Sequence, residues 1–413
     1  MKKFSLLGIC LLGAFAISAQ TNVVKEVEQA LKASKPDYSA AINKIKPALT
    51  DEATKNDPLA WKLAGQAGVG LYDELFLKEQ LDTAELKKDE KLAAGHGLLD
   101  CYNYYLTAIP LDRHPDKKGV MKPGKLTKGM IKTMNENYSQ LQTAAIFLFQ
   151  ASDNQGAYDT WEMFLTLPTN PLLGKDAPKA YPDTVVGQIM YYQMLASLIE
   201  NNQESNERAL AKFKPTLTTG YENPEVYIYG LEAARRLNDS ISMVEIAQLG
   251  YDKYGTSNIT FIGELINDGL NRNDYVSSEK LVREAIVATP DTNVVIKGQL
   301  YDILGVVYER QNNDEGAIEN FKKAIEINPE NGKGYYDVAR IIYNQAVRLD
   351  DTAKDEAESN KLVTPKLLEA ADYFVKAYEL DKDNLTDIPN ILYRLYYRLG
   401  DGYQDKAEEW QDK

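Results

Sequence analysis

The sequence predicts an all-α protein built from about eight consecutive helical hairpins. Three observations lead to this fold class. Residues 298–331 form a 34-residue unit with two helical apolar faces, and weaker copies of that unit precede and follow it. Runs in which apolar and polar residues alternate, which would predict β-strands, are scarce. Apolar residues make up 44% of the 413-residue chain, which is typical of a folded protein.

The unit at 298–331 contains two amphipathic helices joined by a polar turn. One face of the first helix is formed at the spacing i, i+3, i+4 and i+7 by Tyr301, Leu304, Gly305 and Tyr308. One face of the second helix is formed at i, i+4 and i+7 by Ala317, Phe321 and Ala324. Pro329 then ends the second helix. Because a single hairpin cannot bury both faces alone, we expect such hairpins to stack.

Other stretches repeat this arrangement less regularly. Units of similar spacing lie at 138–171, 224–257, 259–292 and from 332 onward. Further helical pairs are predicted at 22–50, 58–112, 181–218 and 387–412. In the unit that starts at 332, the second helix is marked late, by Ala370, Phe374 and Ala377. The charged stretch 348–366 before it is expected to extend the hairpin as a loop.

The unit at 298–331 resembles a tetratricopeptide repeat (TPR). It matches the pattern W-x2-L-G-x2-Y…A-x3-F…P, except that Tyr301 replaces Trp. The resemblance implies a right-handed superhelical solenoid whose first helices line a concave groove for an extended peptide or a helix. The groove residues that the resemblance implies in this chain are Gln142, Phe149, Asp302, Glu309, Arg310, Tyr336, Arg340, Tyr343 and Asn344. The alternative is that these residues form an ordinary solvated helix face.

The first residues have the features of a secretory signal peptide. Lys2 and Lys3 precede an apolar run that is short for a membrane span, and the small Ala19 suits the cleavage site. We therefore expect a signal peptide at 1–19, a helical repeat array over 20–413, and a periplasmic or otherwise exported protein. The alternatives are a retained anchor and, within the array, a kink or subdivision near 170–182, where prolines interrupt the helical pattern. After cleavage only Cys101 remains, which excludes an intramolecular disulfide.

The sequence contains no recognisable arrangement of catalytic or metal-binding residues. His96 and His114 are isolated, and no zinc-site spacing includes them. The stretch that has the glycine spacing of a phosphate-binding loop is GVMKPGKL, residues 119–126. We do not predict nucleotide binding there, because no buried strand precedes it and Leu126 replaces the Ser or Thr that would bind magnesium. The chain is therefore predicted to be no enzyme and to need no cofactor.

The chain carries a net charge of −14, which disfavours nucleic-acid partners. A basic patch is the local exception, and its members are Arg113, Lys117, Lys118, Lys122, Lys125, Lys128 and Lys132. This patch is either a solvated loop or a contact for an acidic partner, anionic lipid headgroups or a polyanionic glycan.

These observations predict a non-enzymatic TPR scaffold or adaptor of the bacterial cell envelope. Its partner would be another protein or a peptide, and no transmembrane segment is predicted beyond the signal peptide, although peripheral association with the envelope is compatible with the sequence. The alternative function is a soluble glycan- or peptide-capture module of a nutrient-uptake system. A ladder of charged and amide side chains in the groove would favour a peptide, whereas stacked aromatic residues with few charges would favour a glycan.

Overall fold

The computed structural model describes residues 20–81, 85–255, 258–411 and 413. The predicted signal peptide at 1–19 lies outside the described residues. The chain divides into two compact units, one ending at Asn238 and the other starting at Asp239. Each unit consists of helices that pack against their neighbours along the chain. The predicted all-α fold, a solenoid of helical hairpins, is therefore confirmed.

The first unit contains ten described helices and a short two-stranded ribbon. Residues 20–30 are helical and form α1. The elements that follow are α2 (Tyr38–Ile45), α3 (Pro58–Leu81), α4 (Lys88–Leu111), β1 (Arg113–Pro115), β2 (Met121–Pro123), α5 (Thr127–Glu136), α6 (Gln140–Gln150), α7 (Asn154–Thr166), α8 (Asp183–Glu200), α9 (Gln203–Thr218) and α10 (Pro224–Arg236). The main core of this unit is rich in aromatic side chains, and Tyr138 stacks on Phe164 with ring centroids 4.7 Å apart.

The second unit contains nine described helices. They are α11 (Ser240–Tyr254), α12 (Ile259–Asn271), α13 (Tyr275–Ala288), α14 (Val294–Arg310), α15 (Asp314–Ile327), α16 (Gly332–Thr352), α17 (Glu356–Asp381), α18 (Ile388–Leu399) and α19 (Gln404–Gln411). Four of the positions that define the repeat at 298–331 are buried, since Leu304, Ala317, Phe321 and Ala324 are at most 1% exposed, whereas Tyr301 and Tyr308 are half-buried. A Cβ placed on Gly305 would lie 2.6 Å from the ring of Phe321, so the small residue lets α14 and α15 approach closely.

Three hairpin turns share one geometry. The second residue after the end of the first helix adopts the left-handed conformation. These residues are Ser152, Asn273 and Asn312, with φ values of 65°, 60° and 58°. The residues that follow them are Asp153, Asp274 and Asn313. Each donates its N–H to a carbonyl in the last turn of the first helix, at 2.7 to 2.9 Å. Its side chain accepts the N–H three residues later, at 2.9 to 3.2 Å, and so caps the second helix.

The charged stretch 348–366 is mostly helical, so the prediction of a loop there is wrong. α16 continues to Thr352, and α17 begins at Glu356 after the side chain of Asp355 accepts the N–H of Glu358 at 2.9 Å. The buried residues Val363 and Leu367 extend the apolar stripe of α17 toward its N-terminus. The many charges lie on the remaining faces of the two helices and conceal this stripe in the sequence.

The stretch 112–126 connects α4 to α5, and it contains the ribbon. β1 and β2 pair antiparallel, with His114 opposite Lys122. Gly119 has a φ of 75°, which suits a turn between the two strands. The phosphate-loop-like residues 119–126 thus run from this turn through β2 to the start of α5, and the strand that they contain is exposed rather than buried.

The helices α3 and α4 pack closely where two glycines, Gly68 and Gly97, face each other. A Cβ placed on Gly68 would lie 2.4 Å from the backbone oxygen of Gly97, which a side-chain rotation cannot relieve. We expect Gly68→Ala to lower the free energy of unfolding by about 1–3 kcal/mol, measured by urea denaturation followed by circular dichroism. The matched control is Gly129→Ala in α5, where a Cβ meets nothing within 4 Å and alanine should stabilise by about 0.5–1 kcal/mol. A neutral Gly68→Ala would contradict the close crossing.

Candidate functional site

The first helices of three successive hairpins in the second unit carry equivalent surface positions. The buried residues Ile266 of α12, Gly305 of α14 and Ala339 of α16 occupy the same place in each repeat. One residue beyond them lie Asn267, Val306 and Arg340. Five residues beyond them lie Asn271, Arg310 and Asn344, which are all exposed. Because positions i and i+4 share a helix face, the two sets form one surface, which we call the ladder face.

A cavity of about 380 Å³ lies on the ladder face between α11, α12 and α14. Both ladder positions of α12 and of α14 line it, and these are Asn267, Asn271, Val306 and Arg310. Asp268 also lines the cavity and pairs with Arg272 at 2.6 Å. Within the described residues Arg310 makes no ion pair. The cavity therefore offers amide groups and an unpaired guanidinium to a ligand.

Between α14 and α16 the ladder face is held by a charged network. Arg340 donates to both carboxylate oxygens of Glu309, at 2.6 and 2.8 Å, and to Asp337 at 3.2 Å. The hydrogen bonds from Arg340 lower the pKa of Glu309, and the same bonds raise the pKa of Arg340. Lys333 pairs with Asp337 at 2.5 Å. The predicted groove residues Glu309 and Arg340 are thus close together, and they neutralise each other.

The tyrosines of α16 are partly engaged by neighbouring helices. The hydroxyl of Tyr336 donates to Asp387, just before α18, at 2.9 Å. Tyr336 and Tyr343 both meet the ring of Phe374 edge-on, at centroid distances of 5.7 and 6.4 Å. Both tyrosine rings are half-buried. Asn344, the last predicted residue of this helix, is exposed.

Asp302 is buried, with an exposed fraction of 8%. Asn331 donates to its Oδ2 at 2.6 Å, while its Oδ1 has no hydrogen-bond partner within the described residues. Burial raises the pKa of Asp302 to about 6, against the opposing effects of Asn331 and of the nearby Lys333. Asp302 therefore lies beneath the surface of α14, where it binds Asn331 and is not exposed to solvent.

The two remaining predicted groove residues belong to the first unit. Gln142 and Phe149 are half-buried on α6, and Phe149 packs on Trp161 with ring centroids 6.0 Å apart. The predictions for the second unit omitted Asn267 and Asn271. The same register that selects Arg310 and Asn344 also selects Asn271, so transferring it one repeat earlier would have found this residue.

The seven residues of the predicted basic patch are all exposed, on the ribbon, on α5 and in the segments that adjoin them. His96 pairs with Asp153 at 2.7 Å, and Cys101 is buried with a raised pKa because of that burial. In the part of the chain that the structure describes, no three His, Cys, Asp or Glu residues are grouped as metal ligands. No helix among those residues has the length and apolar character that a bilayer span requires.

Comparison with known proteins identifies the repeat. The family described as tetratricopeptide repeat matches residues 298–331, so the hairpin of α14 and α15 is a tetratricopeptide repeat. No curated protein matches the chain significantly.

The three solved structures that follow are similar only at low identity. The C-terminal part of a TPR repeat-containing protein from Cytophaga hutchinsonii is 14% identical, with a TM-score of 0.43, over 64% of this chain and 92% of that one. MamA from Desulfovibrio magneticus is 19% identical, with a TM-score of 0.35, over 50% and 98%. A TPR repeats protein from Bacteroides fragilis is 17% identical, with a TM-score of 0.28, over 63% and 98%.

The raised pKa of Asp302 predicts how stability depends on pH. The folded state holds this proton more tightly than the unfolded state, whose carboxyl has a pKa near 3.8. The stability that protonated Asp302 contributes is thus fully present below about pH 4 and is lost as the pH rises through about 6. We expect Asp302→Asn to raise the free energy of unfolding by about 1–3 kcal/mol at pH 8, with the gain disappearing toward pH 4.

Urea denaturation of both proteins across pH 4 to 8 measures this gain. Asp383→Asn removes the same charge from an exposed position of the second unit and serves as the control. A gain that is equal at every pH would contradict a buried, ionising Asp302.

Proposed function

We propose that this TPR protein is a non-enzymatic scaffold or adaptor that binds an extended peptide segment of another protein along the ladder face. The observation that carries the proposal is the exposed row formed by Asn271, Arg310 and Asn344 on three successive first helices. Amide and guanidinium groups supply the donors and acceptors that a peptide backbone needs. An extended segment that crossed the three first helices would meet such groups at intervals along its backbone.

The composition of the ladder face favours a peptide over a glycan. Sugar-binding grooves would need exposed aromatic rings, and the rings of Tyr336 and Tyr343 already contact Phe374. The charges of Glu309 and Arg340 are balanced within the protein, so they orient the face without demanding a strongly charged ligand. The remaining predicted groove residues, Gln142 and Phe149, would belong to a further contact in the first unit.

The proposed place of action is the bacterial cell envelope. The positive start at Lys2 and Lys3, the apolar run up to Ile17 and the small residues Ser18 and Ala19 support export by a cleaved signal peptide. A scaffold in that compartment would hold an exported partner. Capture of peptides or glycans for nutrient uptake is the alternative, and the experiment below distinguishes it.

The double variant Arg310→Ala and Asn344→Ala tests the ladder face. Both side chains are exposed, so we expect the melting temperature to change little while partner binding falls about tenfold. Tagged wild-type and variant proteins would be used to recover partners from the envelope fraction, with quantification by mass spectrometry.

The matched control is Asn360→Ala with Lys361→Ala, which removes one exposed amide and one exposed cation from α17. Loss of the same partners with the control would move the binding site elsewhere. If no protein is enriched and a glycan array binds the wild type, the scaffold proposal fails and the capture function replaces it.

Export predicts that the mature protein begins at Gln20. Intact-mass analysis of protein from the periplasmic fraction should give the mass of residues 20–413. Ala19→Arg places a large charged residue at the cleavage site and should leave the precursor uncleaved and membrane-associated. Recovery of the chain with residues 1–19 intact from the cytoplasm of wild-type cells would contradict export.

A further inference from the structure

The ribbon and α5 leave positive charge without partners. All seven cations of the basic patch are exposed, and within the described residues only Lys132 makes an ion pair, to Glu136 at 3.7 Å. Lys175, which lies in the turn facing α5, is also exposed and also lacks an ion pair there. This concentration contrasts with the acidic chain as a whole, so it marks a surface suited to an anionic ligand.

Two acidic residues of this region, Asp112 and Asp116, accept hydrogen bonds from the loop and from the start of α5 instead of pairing with lysines. Asp112 is buried and accepts the N–H and the hydroxyl of Thr127, at 2.8 and 2.9 Å. Asp116 accepts the N–H groups of Lys118 and Val120, at 2.8 and 3.0 Å. The acids therefore shape the turn and attach α5, while the positive charge around them stays unbalanced.

The cations border a preformed cleft of about 880 Å³ between α5, the end of β2 and residues 175–177. Lys128, Lys132 and Lys175 line its walls, and the half-buried Ile131 and Ala177 supply apolar surface. The amide of Asn135 donates to the backbone oxygen of Asp176 at 2.9 Å and joins the two walls. Glu136 and Asp176 lie at the same end of the cleft, so the cationic part of the cleft lies beside the first half of α5.

The wall opposite α5 is anchored in the core of the first unit. Leu173 is buried, with an exposed fraction of 3%. Tyr181 packs on Tyr138 and on Phe164, with ring centroids 5.7 and 5.1 Å away. Because both ends of the segment are held, a ligand would meet the cleft without first having to order it.

We propose that this cleft binds an extended acidic segment of a partner protein. α5 lines it over about 12–15 Å, which accommodates about four extended residues. Carboxylates of the segment would contact Lys128 and Lys175, and an apolar side chain would contact Ile131. A recessed cleft with mixed walls suits a peptide better than a flat lipid surface. A membrane would instead meet the tip of the ribbon, where Val120 and Met121 are exposed.

This proposal concerns the first unit and does not depend on the ladder face of the second. The variants that test the two surfaces are different, so either proposal can fail while the other stands. The probe here is a fluorescein-labelled hexapeptide of sequence Glu-Leu-Glu-Glu-Leu-Glu, and binding to the full mature chain is followed by fluorescence anisotropy. We expect binding that weakens as the salt concentration rises.

Lys128→Glu with Lys175→Glu should weaken peptide binding by at least about tenfold. The matched control is Lys117→Glu with Lys118→Glu, which changes the net charge equally but lies on the ribbon turn outside the cleft. The control should change binding by less than about twofold, because neither lysine lines the cleft and salt screens charges that are not in contact with the ligand. All four lysines are exposed, and circular dichroism melting curves verify that both variants fold.

Four results would overturn the proposal. Equal weakening by the two variants would show attraction by diffuse charge, and absence of peptide binding to the wild type would show that the cleft takes no such ligand. Binding to vesicles of phosphatidylcholine with one quarter phosphatidylglycerol that is lost in Lys117→Glu with Lys118→Glu, without peptide binding, would assign the patch to a membrane. Displacement of the peptide by millimolar inorganic phosphate would assign it to a phosphate ligand instead.

Discussion

The repeat geometry depends on one residue in each of three hairpin turns that hydrogen-bonds to both helices. Asp153, Asp274 and Asn313 close the first helix through their N–H and begin the second through their side chain. The preceding residue adopts the left-handed conformation, which Asn tolerates better than most side chains. Because two bonds from a single residue attach both helix ends, the direction in which the second helix leaves is set locally. The apolar faces of the two helices then only have to be complementary in shape.

The turns that follow α12 and α14 share this geometry, so these two hairpins are built alike. Equivalent residues of the first helices α12, α14 and α16 form rows, and Asn271, Arg310 and Asn344 form one of them. A ligand that is itself periodic, such as an extended peptide, can match such a row. On α14 the buried Asp302 lies one helical turn before Val306, and within the described residues one of its carboxylate oxygens has no hydrogen-bond partner. Burial raises the pKa of this carboxyl, so its ionisation at neutral pH costs stability.

The two proposed surfaces treat charge in opposite ways. On the ladder face Arg340 is bound by Glu309 and Asp337, so its charge is balanced inside the protein. Beside α5, Asp112 and Asp116 are bound to backbone N–H groups and Glu136 pairs with Lys132, so most of the positive charge remains available. The first arrangement favours recognition by hydrogen bonds, while the second favours electrostatic attraction that salt weakens. One chain thereby offers two chemically distinct places for partners.

The sequence by itself determined the helices and most of their buried faces, because helical periodicity is a local property that residues such as Leu304, Phe321 and Phe374 report directly. It failed at 348–366, where charges on the outer faces hid the stripe through Val363 and Leu367. It also indicated a basic patch of seven cationic residues, but it did not show which of them border a cleft. Only the tertiary structure decided that Lys175 faces α5, that Asp112 binds Thr127 and that Arg340 binds Glu309. These pairings join residues that are distant in the chain, and the distances and burial that govern them exist only once the helices have packed.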